Sequence, residues 1–263
     1  MITIRGADEL SRLERASRVV LETLEVLEKA VKPGVTTEEL DRIAAEEIGR
    51  HGAKPAFLNY RGFPKTICTS VNDEVVHGIP GRRSLKEGDI VGIDCGAVVD
   101  GYYGDAARTL PVGRIDPLRA KLLEVTRAAL DAGIAAAQPG GRVSDIGAAV
   151  EAIALAHGYG VVREFVGHGV GTALHEEPQV PNYGPAGRGS TLKPGMVLAI
   201  EPMFNLGTGQ VSVDRDGWTV RTRDRSASAH FENTIAIGVD GPVVLGLGRL
   251  AETVAREAAA VPV

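Results

Sequence analysis

The chain has 263 residues, 44% of them hydrophobic, and a formal net charge of -5. It can therefore bury a large core, as one domain or as two small ones. The acidic balance argues against nucleic-acid binding or attachment to anionic membranes, because there is no basic excess to neutralise phosphates. The N-terminus lacks an apolar signal core, no run approaches the roughly 18 apolar residues of a membrane span, and the two cysteines form no CxxC pair. We expect a cytoplasmic protein.

The first half of the sequence predicts two helices followed by strands. An amphipathic helix begins near Asp8 and ends before Pro33-Gly34, since its apolar residues recur every three or four positions. The next helix begins after Thr36, which stands at capping-box spacing from Glu39, and Gly52 ends it. From Thr66 the sequence is rich in β-branched residues, and IVGIDCGAVVDGYYGDAARTL predicts a hairpin that turns at Asp100-Gly101.

The second half repeats this order of elements. Asp116-Pro117 predicts the start of a helix that runs through Ala137, and a further helix is expected from Ser144 to His157. Pro33-Gly34 and His51-Gly52 recur 106 residues later, and LKEGDIVGID recurs at an offset of 107 as LKPGMVLAIE. Asp94 and Glu201 end these two matching segments. We infer a duplication that gives one α+β domain with two similar halves and a cleft between them, where ligands tend to bind.

The hairpin brings two carboxylates together. With a two-residue turn at Asp100-Gly101, Asp94 lies opposite Ala107 and Asp105 lies opposite Gly96, so the two acids are diagonal neighbours on one face. Asp94 also stands within an apolar run, where an uncompensated carboxylate costs several kcal/mol. A cation that binds both acids would remove this cost, whereas a lone Asp beside a turn would more often be a hydrated loop residue.

Two glutamates have the same kind of setting. Glu201 ends the apolar run MVLAI and is followed by Pro202, and Glu232 enters the apolar strand of HFENTIAIG. Each could instead be satisfied by an arginine, for which the candidates are Arg221, Arg223 and Arg225. Because four acids share this setting, we favour metal ligands over separate ion pairs.

His168 and His175 lie seven residues apart in the glycine-rich segment GHGVGTALHEEP. The glycines and Pro178 exclude the HExxH helix of zinc proteases, so we expect a loop or an irregular strand. The segment lacks the glycine pattern of nucleotide-binding loops, and the chain has no GxSxG nucleophile elbow. One imidazole with four carboxylates is a hard ligand set suited to manganese, iron, cobalt or magnesium, with zinc also possible.

These residues, with their flanks, resemble those of the methionine aminopeptidases, specifically the short type I enzymes of the pita-bread fold. The resemblance runs over nearly the whole chain through VKPGVTTEELDRIA, NYRGFPKTICTSVNDEVVHGIP, GDIVGIDCGAVVDGYYGDAARTL, GHGVGTALHEEPQV, LAIEPM and HFENT. It implies an α+β fold with pseudo-two-fold halves, roughly 1–115 and 116–263 of a single catalytic domain 1–263, and a central curved antiparallel sheet flanked by helices.

The resemblance also implies a role for each site residue. Two divalent ions would be bound by Asp94, Asp105, His168, Glu201 and Glu232, with Asp105 and Glu232 bridging them. Glu201 would also move the proton, and the water activated by the two ions would attack the first peptide carbonyl. His77 and His175 would contact the substrate and stabilise the charge that develops. The methionine pocket would be lined by Tyr60, Phe63, Cys68, Leu174 and Trp218.

The implied reaction is removal of the initiator methionine from nascent chains whose second residue is small. The resemblance further implies a weakly bound monovalent cation near the carbonyls of Asn72, Glu74 and Ser228. We expect a monomer that contacts the ribosome transiently. Two other functions share some of these features: a proline-specific peptidase, which usually carries a further N-terminal domain, and a non-catalytic binding relative, which would be expected to lose ligands.

Overall fold

The computed structural model describes residues 1–248 and residue 250. This part of the chain contains four α-helices and a short 3-10 helix at Tyr60–Gly62; the α-helices are α1 (Ala7–Ala30), α2 (Thr37–Arg50), α3 (Pro117–Ala136) and α4 (Val143–His157). The proposed domain 1–263 also includes residues 249 and 251–263, which lie outside the described residues. The boundary between its halves, near residue 115, stays a prediction.

The strands form one large and two small sheets. In chain order they are β1 (Lys54–Pro55), β2 (Ile67–Val71), β3 (Glu74–Val76), β4 (Ile90–Val99), β5 (Tyr102–Pro111), β6 (Gly160–Val161), β7 (Gly167–Gly169), β8 (Glu176–Val180), β9 (Val197–Ile200), β10 (Met203–Asn205), β11 (Val211–Val213), β12 (Val220–Thr222), β13 (Ser228–His230), β14 (Glu232–Ile237) and β15 (Pro242–Val244). The large sheet has the order β1-β4-β5-β14-β9-β7-β8, with β2 also on β4 and β15 also on β14. The pairings within it are antiparallel.

The predicted helix ends are confirmed. The Thr36 hydroxyl accepts a hydrogen bond from the Glu39 amide at 3.1 Å, and the Asp116 carboxylate accepts from the amides of Leu118 and Arg119. These side chains satisfy amides that have no partner within the first helical turn, which stabilises each helix start by about 1 kcal/mol. α4 begins at Val143, one residue before the predicted start, and ends at His157; Gly158 follows with a φ of 70°, which a glycine adopts without strain.

The two halves repeat the same backbone contacts. Gly34 donates to the carbonyl of Leu85 at 2.8 Å, and Gly140 donates to the carbonyl of Leu192 at the same distance. The loop before α2 thus meets the segment before β4 just as the loop before α4 meets the segment before β9. The internal repeat in the sequence is a repeat in the fold.

Helices pack against the large sheet and form a buried core in each half. A buried cluster that includes Leu24 of α1, Leu40 of α2 and Ile93 of β4 fills the first half. Its counterpart joins Leu122 of α3 to Ile200 of β9 in the second half. Among residues 1–248 and 250, no helix is long and apolar enough to cross a membrane.

Candidate metal centre

The proposed metal ligands come from five adjacent strands of the large sheet. Asp94 is on β4, Asp105 on β5, Glu232 on β14 and His168 on β7, while Glu201 follows the last residue of β9. These strands are neighbours in the order β4-β5-β14-β9-β7. Residues more than 130 positions apart in the sequence therefore meet at one place on the sheet.

Strand register sends these side chains to the same face. Asp94 pairs with Ala107 and Gly96 pairs with Asp105, as the hairpin prediction required. Ala107 in turn pairs with Glu232. Since residues directly opposite in antiparallel strands point to one side, Asp94, Asp105 and Glu232 share a face. Ala107 stands between Asp94 and Glu232 with only a methyl group, which leaves space above the sheet.

The ligands of the second half join them through β9. His168 pairs with Ala199, and Asn233 pairs with Ile200, so Glu201 falls beside Glu232 on the face that carries His168. β7 has a register shift between Gly167 and Gly169, which is the irregular strand that the glycine pattern predicted.

The distances indicate a coordination site. Ligand atoms of Asp105, His168 and Glu232 lie within 4.8 Å of one another. His168 Nε2 is 3.8 Å from Asp105 Oδ2 and 3.5 Å from Glu201 Oε1. These separations exceed a hydrogen bond and suit atoms that converge on a common centre.

The pKa values of the four buried carboxyl groups indicate that a cation is needed to keep them ionised. Burial raises the pKa of Asp94 to about 7. Burial, with neighbouring carboxylates adding to it, also raises the pKa values of Asp105, Glu201 and Glu232 well above their ordinary range. Like charges that share a buried site disfavour ionisation unless a positive charge is added.

Unpartnered oxygens support the fit of a metal. Within the described part of the chain, Asp94 Oδ1, Asp105 Oδ1 and Glu232 Oε1 are buried without a hydrogen-bond partner. Buried polar atoms are nearly always satisfied by protein, water or an ion. The donor set of four carboxylates and one imidazole offers the hard ligands that divalent ions of the first transition row and magnesium accept.

The cluster forms one wall of a cavity of about 330 Å³. Every residue that the sequence analysis proposed for catalysis, metal binding or the methionine pocket lines it: Tyr60, Phe63, Cys68, His77, Asp94, Asp105, His168, Leu174, His175, Glu201, Trp218 and Glu232. The structure thus brings the whole proposed set together, and the role of each residue stays a proposal.

Two of the lining histidines are placed by local structure. His77 follows β3 with a φ of 60°, a left-handed conformation that costs a non-glycine residue about 1 kcal/mol or more. Gly78 follows it and lies too close to the Thr69 carbonyl for a side chain to fit. His175 Nδ1 is 2.8 Å from the Tyr60 hydroxyl, and its ring centre is 4.2 Å from that of His168. Burial lowers the pKa of His77 to about 4 and also lowers that of His175.

The cavity has an apolar end beside the acids. Phe63, Cys68 and Leu174 belong to one buried cluster, against which Tyr60 and Trp218 pack. The Phe63 and Trp218 rings meet edge to face with their centres 5.1 Å apart. Cys68 pairs with Asp94 across β2 and β4, so the floor of the apolar end adjoins the acidic wall.

The arginine alternative for the glutamates is wrong. Arg221 binds Asp214, Asp73 and Glu74, and Arg225 also binds Asp73. Arg223 donates to the Val211 carbonyl. Arg61 lines the cavity. Arg108 lies on the opposite face of the sheet and donates to the main-chain carbonyl of Glu232. It leaves the Glu232 carboxylate free.

Sequence reasoning missed several residues at the site. Phe57, Phe165 and Val166 also line the cavity, and His230 lies buried beside two of the acids. His230 stands two positions before Glu232, and this period-two spacing was the available signal. The aromatic and aliphatic residues carried no local signal, because only the fold brings them to the cavity.

The proposed monovalent-cation site stays a prediction. The structure does bring two of its three residues together, since the Ser228 amide donates to the Asn72 carbonyl at 2.9 Å. Asn72 has a φ of 61°, so its peptide is held in an uncommon orientation.

The sequence of the chain is similar to a known peptidase family and to its members. Residues 11–238 match the model of metallopeptidase family M24. A methionine aminopeptidase of Clostridium acetobutylicum is 50% identical over 248 residues, which are 94% of this chain and 99% of the relative.

Solved structures agree. A methionine aminopeptidase from Rickettsia prowazekii is similar with a TM-score of 0.93 and 44% identity, over 94% of this chain and all of that one. A prolidase from Pyrococcus furiosus is similar with a TM-score of 0.74 over 92% of this chain and 65% of its own, at 24% identity, which shows a shared fold.

Proposed function

The chain belongs to metallopeptidase family M24, in the group of the methionine aminopeptidases, and we propose on that basis that it removes the N-terminal methionine from peptides and nascent proteins whose second residue is small. The observation that carries the proposal is the convergence of four carboxylates and one imidazole beside an apolar cavity. The acids supply the metal-dependent chemistry, and the apolar end supplies a place for one hydrophobic side chain.

The ligand set supports two divalent ions per chain. Asp94 would bind one ion, His168 and Glu201 the other, and Asp105 and Glu232 both. Asp105 and Glu232 suit the bridging role because each has ligand atoms within 4.8 Å of His168 and an unpartnered buried oxygen. Divalent ions held there would act as Lewis acids on a water molecule and on the peptide carbonyl.

The remaining steps belong to the side chains of the chain itself. Glu201 would take one proton from the attacking water and pass it to the amine that leaves when the peptide bond breaks. His175 and His77 have lowered pKa values because of burial, so each can offer an N–H to the substrate while neutral. Such fixed donors stabilise the negative charge that develops on the carbonyl oxygen.

The apolar end would bind the methionine side chain. Phe63 and Trp218 form one wall, and Leu174 and Cys68 form the floor. A thioether packs favourably against the edges of aromatic rings, by about 0.3–1.5 kcal/mol. The cavity volume of about 330 Å³ also has to hold the ions and the first peptide group, which limits the size of the second residue.

The proposal is tested by peptide cleavage with defined metal content. Purified protein is treated with a chelator and then assayed on Met-Ala-Ser and on Ala-Pro-Ser, without metal and with manganese or cobalt. We expect methionine release from the first peptide only, dependent on metal, and lost on Glu201→Gln. Cleavage of the Ala-Pro peptide in preference would show a proline-specific peptidase, and release unaffected by Glu201→Gln would refute the assigned proton transfer.

We also propose the compartment, the metals and the assembly of the protein. Both cysteines are free thiols, which suits a reducing cytoplasm. Manganese and cobalt are proposed among the possible ions from the hard donor set. A transient contact with the ribosome would bring the enzyme to nascent chains, and a monomer would suffice because one chain supplies the whole proposed site.

A further inference from the structure

A sixth polar side chain belongs to the metal centre without being part of the ligand set assigned to it. His230 is 3% exposed and lies at the end of β13. Its Nε2 is 3.8 Å from Glu201 Oε2 and 3.9 Å from Glu232 Oε2. Among the described residues, no group forms a hydrogen bond with this nitrogen.

The arrangement places a separate imidazole at each oxygen of Glu201. His168 Nε2 faces Oε1 at 3.5 Å, and His230 Nε2 faces Oε2 at 3.8 Å. A carboxylate can bind a metal through either oxygen or both, and nothing in its own chemistry distinguishes them. A donor fixed beside one oxygen makes the two different.

Hydrogen bonds fix the backbone of His230 on both sides of its Cα atom. The Thr109 hydroxyl accepts from the His230 amide and donates to the His230 carbonyl, each at 2.8 Å. His230 also pairs with Met203 across β10 and β13. The main chain that carries the imidazole is therefore anchored from β5 and from β10, on strands other than those that carry Glu201 and Glu232.

We propose that His230 is a positioning residue that donates its Nε2 hydrogen to Glu201 Oε2, or to Glu232 Oε2 when that oxygen turns toward it, and so leaves the other oxygen of each carboxylate for the ions. The protonation of Nε2 separates this role from direct ligation, because an imidazole nitrogen that binds a metal carries no proton. Partners that orient metal ligands in this way typically change metal affinity or activity 10- to 100-fold when removed.

The inference rests on the proposed ligand set, so the parent protein is measured first. Manganese is titrated into chelator-treated parent protein by calorimetry. If the parent binds no manganese, the ligand set itself fails. If the parent binds, His230→Leu is expected to lower the affinity by about 10- to 100-fold, whereas His230→Gln, whose amide can donate from a similar position, is expected to stay near the parent value. His157→Leu, at an exposed histidine that does not line the cavity, serves as the matched control.

Two further measurements cover the case in which His230→Leu does not fold. Thr109→Val is nearly isosteric and removes only the hydroxyl that anchors His230, so it should weaken manganese binding in the same direction by a smaller factor. In the zinc-loaded parent with 15N-labelled histidine, one of the six histidines should carry a proton on Nε2 that is absent from the spectrum of His230→Gln. Unchanged manganese affinity in His230→Leu or in Thr109→Val, or an unprotonated and metal-shifted Nε2 at His230, would overturn the proposal.

Discussion

Asp94 and Asp105 are diagonal neighbours on the β4–β5 hairpin, with Asp94 opposite Ala107 and Asp105 opposite Gly96. This relationship follows from the two-residue turn at Asp100-Gly101, where both residues have positive φ. The paired strands of the hairpin thus position both carboxylates on one face without the help of a metal ion. The other ligands are added by β14, β9 and β7 in turn.

The space between the acids depends on a small residue at position 107. Ala107 pairs with Asp94 on one side and Glu232 on the other, so a larger side chain there would project among the ligands. We expect Ala107→Leu to weaken manganese binding by about 10- to 100-fold, since overpacking costs about 1–3 kcal/mol. Calorimetric titration measures this, with Ala107→Ser as the control of nearly unchanged size. Parent-like affinity in Ala107→Leu would show that the ions do not lie above this residue.

The metal-free protein should lose stability as the pH rises. Burial raises the pKa of Asp94 to about 7 in the fold, against about 3.9 in an unfolded chain. The folded state therefore favours the protonated carboxyl. The contribution of Asp94 to the free energy of unfolding is complete below pH about 4 and is lost as the pH rises through about 7. Asp105, Glu201 and Glu232 act in the same direction. The buried histidines of the site act in the opposite direction because burial lowers their pKa values, but their effect is nearly complete at pH 7.

Denaturant unfolding at pH 7 and pH 8, where histidines of the unfolded chain are mostly neutral, tests this expectation. The metal-free parent should unfold at lower denaturant concentration at pH 8, and saturating manganese should remove the difference because the ions bind the deprotonated ligands. Metal-free Asp105→Asn should show a smaller loss, since one of the repelling charges is gone. A metal-free parent that is equally stable or more stable at pH 8 would contradict the account of the acids.

The hairpin is held against α1 at Gly104. A Cβ added there would lie 2.5 Å from the Ser17 nitrogen and 2.6 Å from the Ala16 carbonyl carbon, both main-chain atoms that cannot turn aside. We expect Gly104→Ala to lower the free energy of unfolding by about 1–3 kcal/mol. Gly49→Ala in α2 is the matched control, because an added Cβ there has nothing within 4 Å and should raise stability by about 0.5–1 kcal/mol. Equal effects of the two changes would be evidence against this close packing.

Trp218 should contribute to binding of the methionine side chain and have no effect on metal affinity. Its ring packs on Phe63 at the apolar end and also stands 6.4 Å from His77, centre to centre. Trp218→Ala is expected to lower kcat/KM for Met-Ala-Ser by about 10- to 100-fold, the equivalent of about 1.4–3 kcal/mol, while Trp218→Phe keeps most of the activity. A loss of manganese affinity in Trp218→Ala, measured in parallel, would contradict the assignment of Trp218 to the methionine pocket alone.

The sequence predicted the parts of the site that local rules control. Hairpin parity placed Asp94 and Asp105 on one face, and the repeat matched Asp94 with Glu201. It could not predict that β14 lies between β5 and β9, because a pairing across more than 120 residues leaves no local pattern. The same limit explains why the sequence does not identify Phe57 and Phe165 as cavity residues and does not exclude Arg221, Arg223 and Arg225 as partners for the glutamates.

The central claim is that the five proposed ligands hold two divalent ions that are required for methionine release. One titration tests it directly: chelator-treated protein receives manganese in steps, and bound metal per chain and methionine released from Met-Ala-Ser are measured on the same samples. We predict that activity rises with bound metal, that binding saturates at two ions per chain, and that Asp105→Asn abolishes both. Methionine release from the metal-free protein, or full metal binding and activity in Asp105→Asn, would contradict the account.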